Sequence, residues 1–449
     1  MSEAVRTLIR GATVITLDRQ GDLPMADILI EGAKIIEIAP QLEAASAQVV
    51  PAEGFIVIPG LINAHMHTWQ TALRGIASNW TLLEYFQKMH AGLATVFEPE
   101  DLHIATLVGA LNQLNCGTTT LVDWCHNNRT PEHNDAAIAG LRASGLRAAF
   151  FHGTPKPDPK PGETPFWERP HPREEVERLL KTYGGHDLLS IGVAVLGPHY
   201  ATLDVTLHDF RMARDLGLIA SLHQGGGPAR TPDGWERLEA EGLLGPHVNI
   251  VHGHALSDQQ LSRFCDLGMS FSAAAENEMT QGHGHPLTGR LRDRGHAPSL
   301  GVDLESVLSG DMLTQARVAL GMQRSLDNVA YRQQHGSIPP TSTLSTREAL
   351  QWVTVEGARM LGQLDRLGTL AAGKQADLVM IRATDLNMQP LHDPVSSVVM
   401  QTSLANIDSV MVAGQWKKRH GQLLDVNLPP LLQALNASGR KITQALSLS

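Results

Sequence analysis

Two histidines one residue apart, His65 and His67, end the stretch PGLINAHMH (59–67), an apolar run that follows a Pro-Gly turn. Residues i and i+2 of an extended segment point to one face, with Cα atoms about 6.5–7 Å apart. Imidazoles so spaced can converge on one ion, because Zn–N bonds are about 2.0–2.1 Å long. The spacing alone is weak evidence, since the chain has three H-x-H pairs, 65/67, 252/254 and 283/285. Placement is what separates them. His223 closes GLIASLH, His252 closes VNIVH, His199 closes VAVLGPH and Asp303 closes APSLGVD. Each is a ligand-competent group directly after an apolar run. Three histidines and one carboxylate suit zinc or ferrous iron.

Such residues need rigid elements to bring them together. Short β-branched or apolar runs alternate with helical patterns along the middle of the chain. The run before His65 is followed by GTTTLVD (117–123), GLRAAFFHG (145–153), LSIGVAVLGPH (189–199), GLIASLHQ (217–224), VNIVHGH (248–254), MSFSAAAEN (269–277) and APSLGVD (297–303). Between them, segments such as EPEDLHIATLVGALNQLN place apolar residues three and four apart. Alternation of this kind means βαβ units and a parallel sheet. Eight units predict an α/β fold, a (β/α)8 barrel, with an open doubly wound sheet as the competing arrangement. Barrel chemistry sits at the C-terminal ends of the strands, where His65 and His67 fall. Both ends of the chain carry short strand-like runs with no helices between most of them, at 7–17, 27–38, 377–382 and 407–416. The expected domains are therefore a composite β-sandwich from 1–58 plus 366–449 and a barrel over 59–365. The proline-rich insertion 155–172, PKPDPKPGETPFWERPHP, follows the third strand and is expected at the barrel mouth, as a lid or as a surface excursion.

The 449-residue chain has 42% apolar residues, enough for a sizeable core, and a net charge of -10, which argues against a nucleic-acid partner. No apolar stretch approaches membrane-spanning length, so no membrane partner is expected. Three cysteines, none in a C-x-x-C pair, fit a reducing, cytoplasmic setting.

Taken together, PGLINAHMH, LRG (73–75), GTTTLVD, GPH (197–199), SLH (221–223), VHGHALSD (251–258), GVD (301–303) and LGTLAAGKQADLVM (367–380) resemble, in order, the motifs of the amidohydrolase superfamily. Within it they resemble the cytosine/guanine deaminase and chlorohydrolase branch. The resemblance implies a distorted TIM-like barrel with a composite β-sandwich. It implies a single divalent metal, zinc first and iron second, held by His65, His67, His223 and Asp303. The fourth strand, IGVAVLGPH, has no lysine to bridge a second ion. Asp303 would also act as general base, His252 would act on the substrate and His199 would help to hold it. The implied reaction is hydrolytic deamination of a small nitrogen heterocycle. Family habit adds a homo-oligomer, dimer or tetramer. A metal-free scaffold protein is the distant alternative.

One departure stands out. The branch's deaminases carry H-x-x-E at the fifth strand, and the glutamate moves protons. Here the sequence is His223-Gln224-Gly225-Gly226. Either another acid serves, with Glu276 the candidate and Glu278 beside it, or the reaction is hydrolysis of an amide, a cyclic C–N bond or a substituted amine that needs no such acid. Glu276 and Glu278 share a face if the seventh strand persists that far. His283 and His285 lie in the next loop. Trp69 and Gln70, after the metal pair, are candidates for substrate contact, and Arg74 is expected to be structural.

Overall fold

The computed structural model describes residues 5–44 and 46–447. Eight parallel strands follow one another in sheet order: Leu61–Met66, Thr118–Cys125, Arg147–Gly153, Leu189–Val195, Ala220–Gln224, Val248–His252, Ser270–Ala273 and Ser299–Leu300. Each expected run supplies one strand of the barrel. The last is only two residues long, and closure comes just beyond it, in a parallel bridge between Met66 and Asp303. Strands covered on both faces must be apolar nearly throughout. The second strand accordingly has all eight residues buried. Around the fourth to sixth strands, Val193, Val195, Leu222 and Ile250 pack with Phe210 and Phe264 from the intervening helices.

The chain ends form a separate mixed sheet of nine strands. Its N-terminal and C-terminal parts meet where Phe55–Pro59 runs antiparallel to Leu378–Arg382. Ile9, Val14, Ile28, Ile30, Val57, Leu378 and Met411 share its core.

Two compact units result. One holds the residues up to 63, 112–120 and 311–426; the other holds 64–111, 121–310 and the chain from 427 onward. The boundaries expected from sequence put 59–63, 112–120 and 311–365 with the barrel and the chain end with the sheet; by compactness the first three group with the sheet and the last with the barrel. A helix at Leu428–Thr443 accounts for the last difference. Its Leu435 packs on Ile104, Ala105 and Val108, while Ser438 and Lys441 bind the Asp101 carboxylate at 2.8 and 2.6 Å. Among the described residues no helix is long and apolar enough to cross a membrane.

Candidate metal centre and active site

The strand ends deliver their side chains to one point. Ligand atoms of His65, His223, His252 and Asp303 all lie within 4.8 Å of one another, and all four residues are buried. His65 Nε2 is 3.2 Å from Asp303 Oδ1 and 3.2 Å from His223 Nε2. His67 joins from the other side, its Nε2 also 3.2 Å from Asp303 Oδ1. That group of four contains His252, where the resemblance put His67, and both imidazoles border Asp303, His67 at 3.2 Å and His252 at 3.7 Å.

The donor set fits a cation. The His67 Nδ1–H donates to the Trp124 carbonyl at 2.5 Å, which in a neutral ring leaves a lone pair on Nε2 facing the Asp303 carboxylate. Two electron-rich atoms at 3.2 Å need a positive charge near both. Burial pushes His65 down to about 4 and holds His223 well below its ordinary range, so these rings are neutral, metal-competent imidazoles.

Backbone geometry is specialised at the same place. His252 and Asp303 have φ of 67° and 66°. For residues with a Cβ this left-handed conformation costs about 1–2 kcal/mol each and persists only where the surroundings enforce it. The bridge to strand one enforces it at Asp303, whose N–H donates to the His65 carbonyl while its carbonyl accepts from the His67 N–H, both at 2.9 Å. Gly301 permits that approach, since a Cβ there would lie 2.4 Å from the His65 carbonyl oxygen.

Behind the cluster is a layer that the sequence only half disclosed. Asn277 Nδ2 donates to Asp303 Oδ2 at 2.7 Å. The His252 Nδ1–H donates to Glu278 Oε1 at 2.9 Å. Burial lowers His252 to about 4 and raises Glu278 to about 7, so the contact is a hydrogen bond from a neutral ring, not an ion pair. Glu278 Oε1 also accepts the Ala274 N–H at 2.9 Å, while its Oε2 is buried without a partner. The seventh strand stops at Ala273, and Ala275–Gln281 is helical. Residues two apart on a helix do not share a face. Glu278 is therefore fully buried behind His252, whereas Glu276 is half-buried and does not line the cavity. Neither carboxylate lines the cavity, and of the two it is Glu278 that reaches the cluster, through His252.

The cavity over the cluster is lined by His67, His90, His126, Lys156, Tyr200, His223, His252, His283, Asp303 and neighbours. Of the loop histidines, His283 reaches it, with both ring nitrogens buried and unpartnered, and His285 is exposed. At Gly226 a Cβ would meet His254 Nε2 at 3.3 Å. None of the three residues expected to touch substrate is among those lining this cavity. Trp69 is fully buried and donates its Nε1–H to His126 Nδ1 at 3.2 Å, which leaves the His126 proton on Nε2. Trp69 thus fixes a cavity histidine and offers no ring face to substrate. Gln70 holds Tyr85 of the cavity wall at 2.6 Å. His199 is buried 3.5 Å from Gln224, next to Tyr200, which does line the cavity. Arg74 is structural as expected, bound to Glu305 at 2.7 Å.

Sequence reasoning missed His90, His126 and Lys156. His126 directly follows the second strand and carried the same strand-end signal as His223. His90, on a short irregular helix, and Lys156, inside the proline-rich insertion, gave no periodic signal.

Comparison with known proteins agrees with this architecture. The family described as "Amidohydrolase family" matches residues 56–417. An 8-oxoguanine deaminase of Pseudomonas aeruginosa is 29% identical, covering 95% of this chain and 97% of its own. A 5-methylthioadenosine/S-adenosylhomocysteine deaminase of Caldicellulosiruptor saccharolyticus is 24% identical, covering 98% and 99%. Among solved structures, the atrazine chlorohydrolase of Arthrobacter aurescens TC1 complexed with zinc superposes with a TM-score of 0.83 at 24% identity, over 96% of this chain and 100% of that one.

Proposed function

Because this chain belongs to the amidohydrolase family, we propose that it is a metal-dependent hydrolase of C–N bonds whose reaction is deamination of a small nitrogen heterocycle. The observation that carries this reading is the convergence of ligand atoms from His65, His223, His252 and Asp303, four strand ends far apart in sequence, to within 4.8 Å. His65, His67, His223 and Asp303 would hold one divalent ion, zinc first and iron second. Bound there, it would supply an acidified water.

The protein's own groups do the rest. Asp303, oriented by Asn277, accepts the proton of the attacking water. His252, oriented by Glu278, stands at the edge of the cluster to stabilise the negative charge that develops on the substrate. His283, which lines the cavity, and Glu278, which acts through His252, would carry a proton to the leaving nitrogen, the task for which Gly226 has no side chain. The deaminases of 8-oxoguanine and of adenosine derivatives among the relatives support an aminated heterocycle as substrate. Gly226 favours one second reading, hydrolysis of an amide, a cyclic C–N bond or a substituted amine, whose leaving group needs less proton delivery. Three buried cysteines, none in a C-x-x-C pair, support a reducing, cytoplasmic setting. The homo-oligomer rests on resemblance, and light scattering on the eluted protein tests it.

Ammonia release from aminopurines, pyrimidines, pterins and triazines is the direct assay. Asp303→Asn should lower kcat/KM by at least about a thousandfold while the fold, by circular dichroism, is kept. Ring-opened or dealkylated products without ammonia would replace deamination by the second reading. Full activity in Asp303→Asn would overturn both.

A further inference from the structure

The proline-rich insertion puts a cation into the cavity. Lys156 is 9% exposed, and its Nζ lies 5.7 Å from the Trp124 ring and 5.0 Å from the Tyr200 ring. No carboxylate or other hydrogen-bond acceptor partners it among the described residues, although a buried ammonium without a counterpart is costly. Its direction is fixed by its neighbours. Pro155 and Pro157 restrict the backbone to extended conformations. Both prolines face a different cavity, shared with Asn134, His152 and Glu175, so the residue between them is turned toward the metal cluster. Burial lowers the ammonium to about 8, which leaves it mostly charged at neutral pH. The surrounding imidazoles of His90, His126 and His223 are held neutral by burial. The one carboxylate of the cavity wall, Asp303, is engaged by His65, His67 and Asn277. The cavity therefore offers a positive group with no hydrogen-bond partner of its own, on which Asp303 acts only at a distance.

We propose that Lys156 is a specificity residue that pairs with an anionic oxygen of the substrate, carried by the ring itself or by a carboxylate substituent. This rests on the reading of the cavity as the active site. The cation needs an acceptor, and the bound substrate is what enters its space.

The test is equilibrium dialysis of the zinc-loaded, full-length protein with two matched pairs of planar probes, urate with hypoxanthine and orotate with uracil. The protein should bind the anion of one pair more tightly than its neutral partner. A preference for urate indicates a ring oxygen and a preference for orotate a carboxylate. Lys156→Met should weaken that anion about ten- to hundredfold, the range of a charge-assisted hydrogen bond. The neutral partner should change by less than about twofold, with zinc content unchanged and melting temperature not lowered, since the variant removes a buried charge. No preference in either pair, a preference that survives the substitution, or equal weakening of both partners would overturn the proposal. Zinc content and ammonia release report on the hydrolase reading separately. A protein that prefers the anion but releases no ammonia keeps the Lys156 assignment and loses deamination, and the reverse pattern does the opposite.

Discussion

At the residue scale, the ligand-competent groups could be read from the sequence because they obey a positional rule. A polar side chain directly after an apolar strand run belongs at the barrel mouth, and His65, His223, His252 and Asp303 all follow it. The rule fails one layer out. Trp69 and Gln70 were placed by adjacency to His67, but the chain turns into a 3-10 helix at Thr68 and carries both into the protein interior. Glu276, the named candidate, and Glu278 were expected to share a face if the strand continued. The onset of a helix at Ala275 instead gives the buried position to Glu278, and with it the hydrogen bond to His252. This correction can be tested. Glu278→Gln keeps an oxygen to accept from His252 and Ala274 but cannot take up a proton. It should lower kcat/KM about a hundredfold, the scale of one lost proton-transfer group. Glu276→Gln should stay within about twofold. Steady-state kinetics of the two variants side by side decide it, and a larger loss at 276 would restore the original choice.

At the element scale, the barrel was legible because period-two and period-3.6 patterns alternate along its whole length, and the insertion was legible as irregular because prolines punctuate it. What the patterns could not convey is long-range pairing. The terminal helix Leu428–Thr443 is amphipathic in sequence, yet its partner Asp101 lies 340 residues before Lys441. The helix Leu203–Asp215 shows a second pairing of this kind. Its buried Asp209 accepts the His171 N–H at 2.8 Å, across 38 residues, and the ring of adjacent His208 at 3.0 Å. The hydrogen bond to Asp209 raises His208 above its ordinary value. A raised folded-state value means that the protonated ring stabilises the fold. That contribution is complete below about pH 6.5, the unfolded value, and is lost as pH rises through the higher folded value. The His208 side chain is 41% exposed, so solvent screening limits the effect to about 0.5 kcal/mol. His208→Gln should accordingly reduce stability in urea melts at pH 5.5 and leave it nearly unchanged at pH 9. An equal loss at both values would show that the pair acts through packing and not through charge.

At the scale of the whole molecule, the centre is costly to the protein that carries it. Two backbone positions there are left-handed, a carboxylate is buried, and the ring nitrogens of His65 and His67 stand 3.2 Å from it. A fold keeps such an arrangement when a bound ion offsets its cost, and ligand binding to the native state alone stabilises by RT ln(1 + [L]/Kd). With zinc at a hundredfold excess over its dissociation constant, this is about 2.7 kcal/mol. Removal of metal by a chelator should therefore lower the melting temperature by several degrees, and zinc should restore it. Trp124 is placed to report the ion, its ring 5.4 Å from His67, with Trp69 one ring further out on His126. Zinc addition should change the fluorescence of the wild-type protein, and Trp124→Phe should lose most of that change while keeping the zinc-dependent rise in melting temperature. Asp303→Asn should lose both, since the carboxylate that balances the ion's charge is gone. A melting temperature indifferent to chelator and to zinc would mean that these side chains satisfy one another without an ion, and the hydrolytic mechanism built on them would fall.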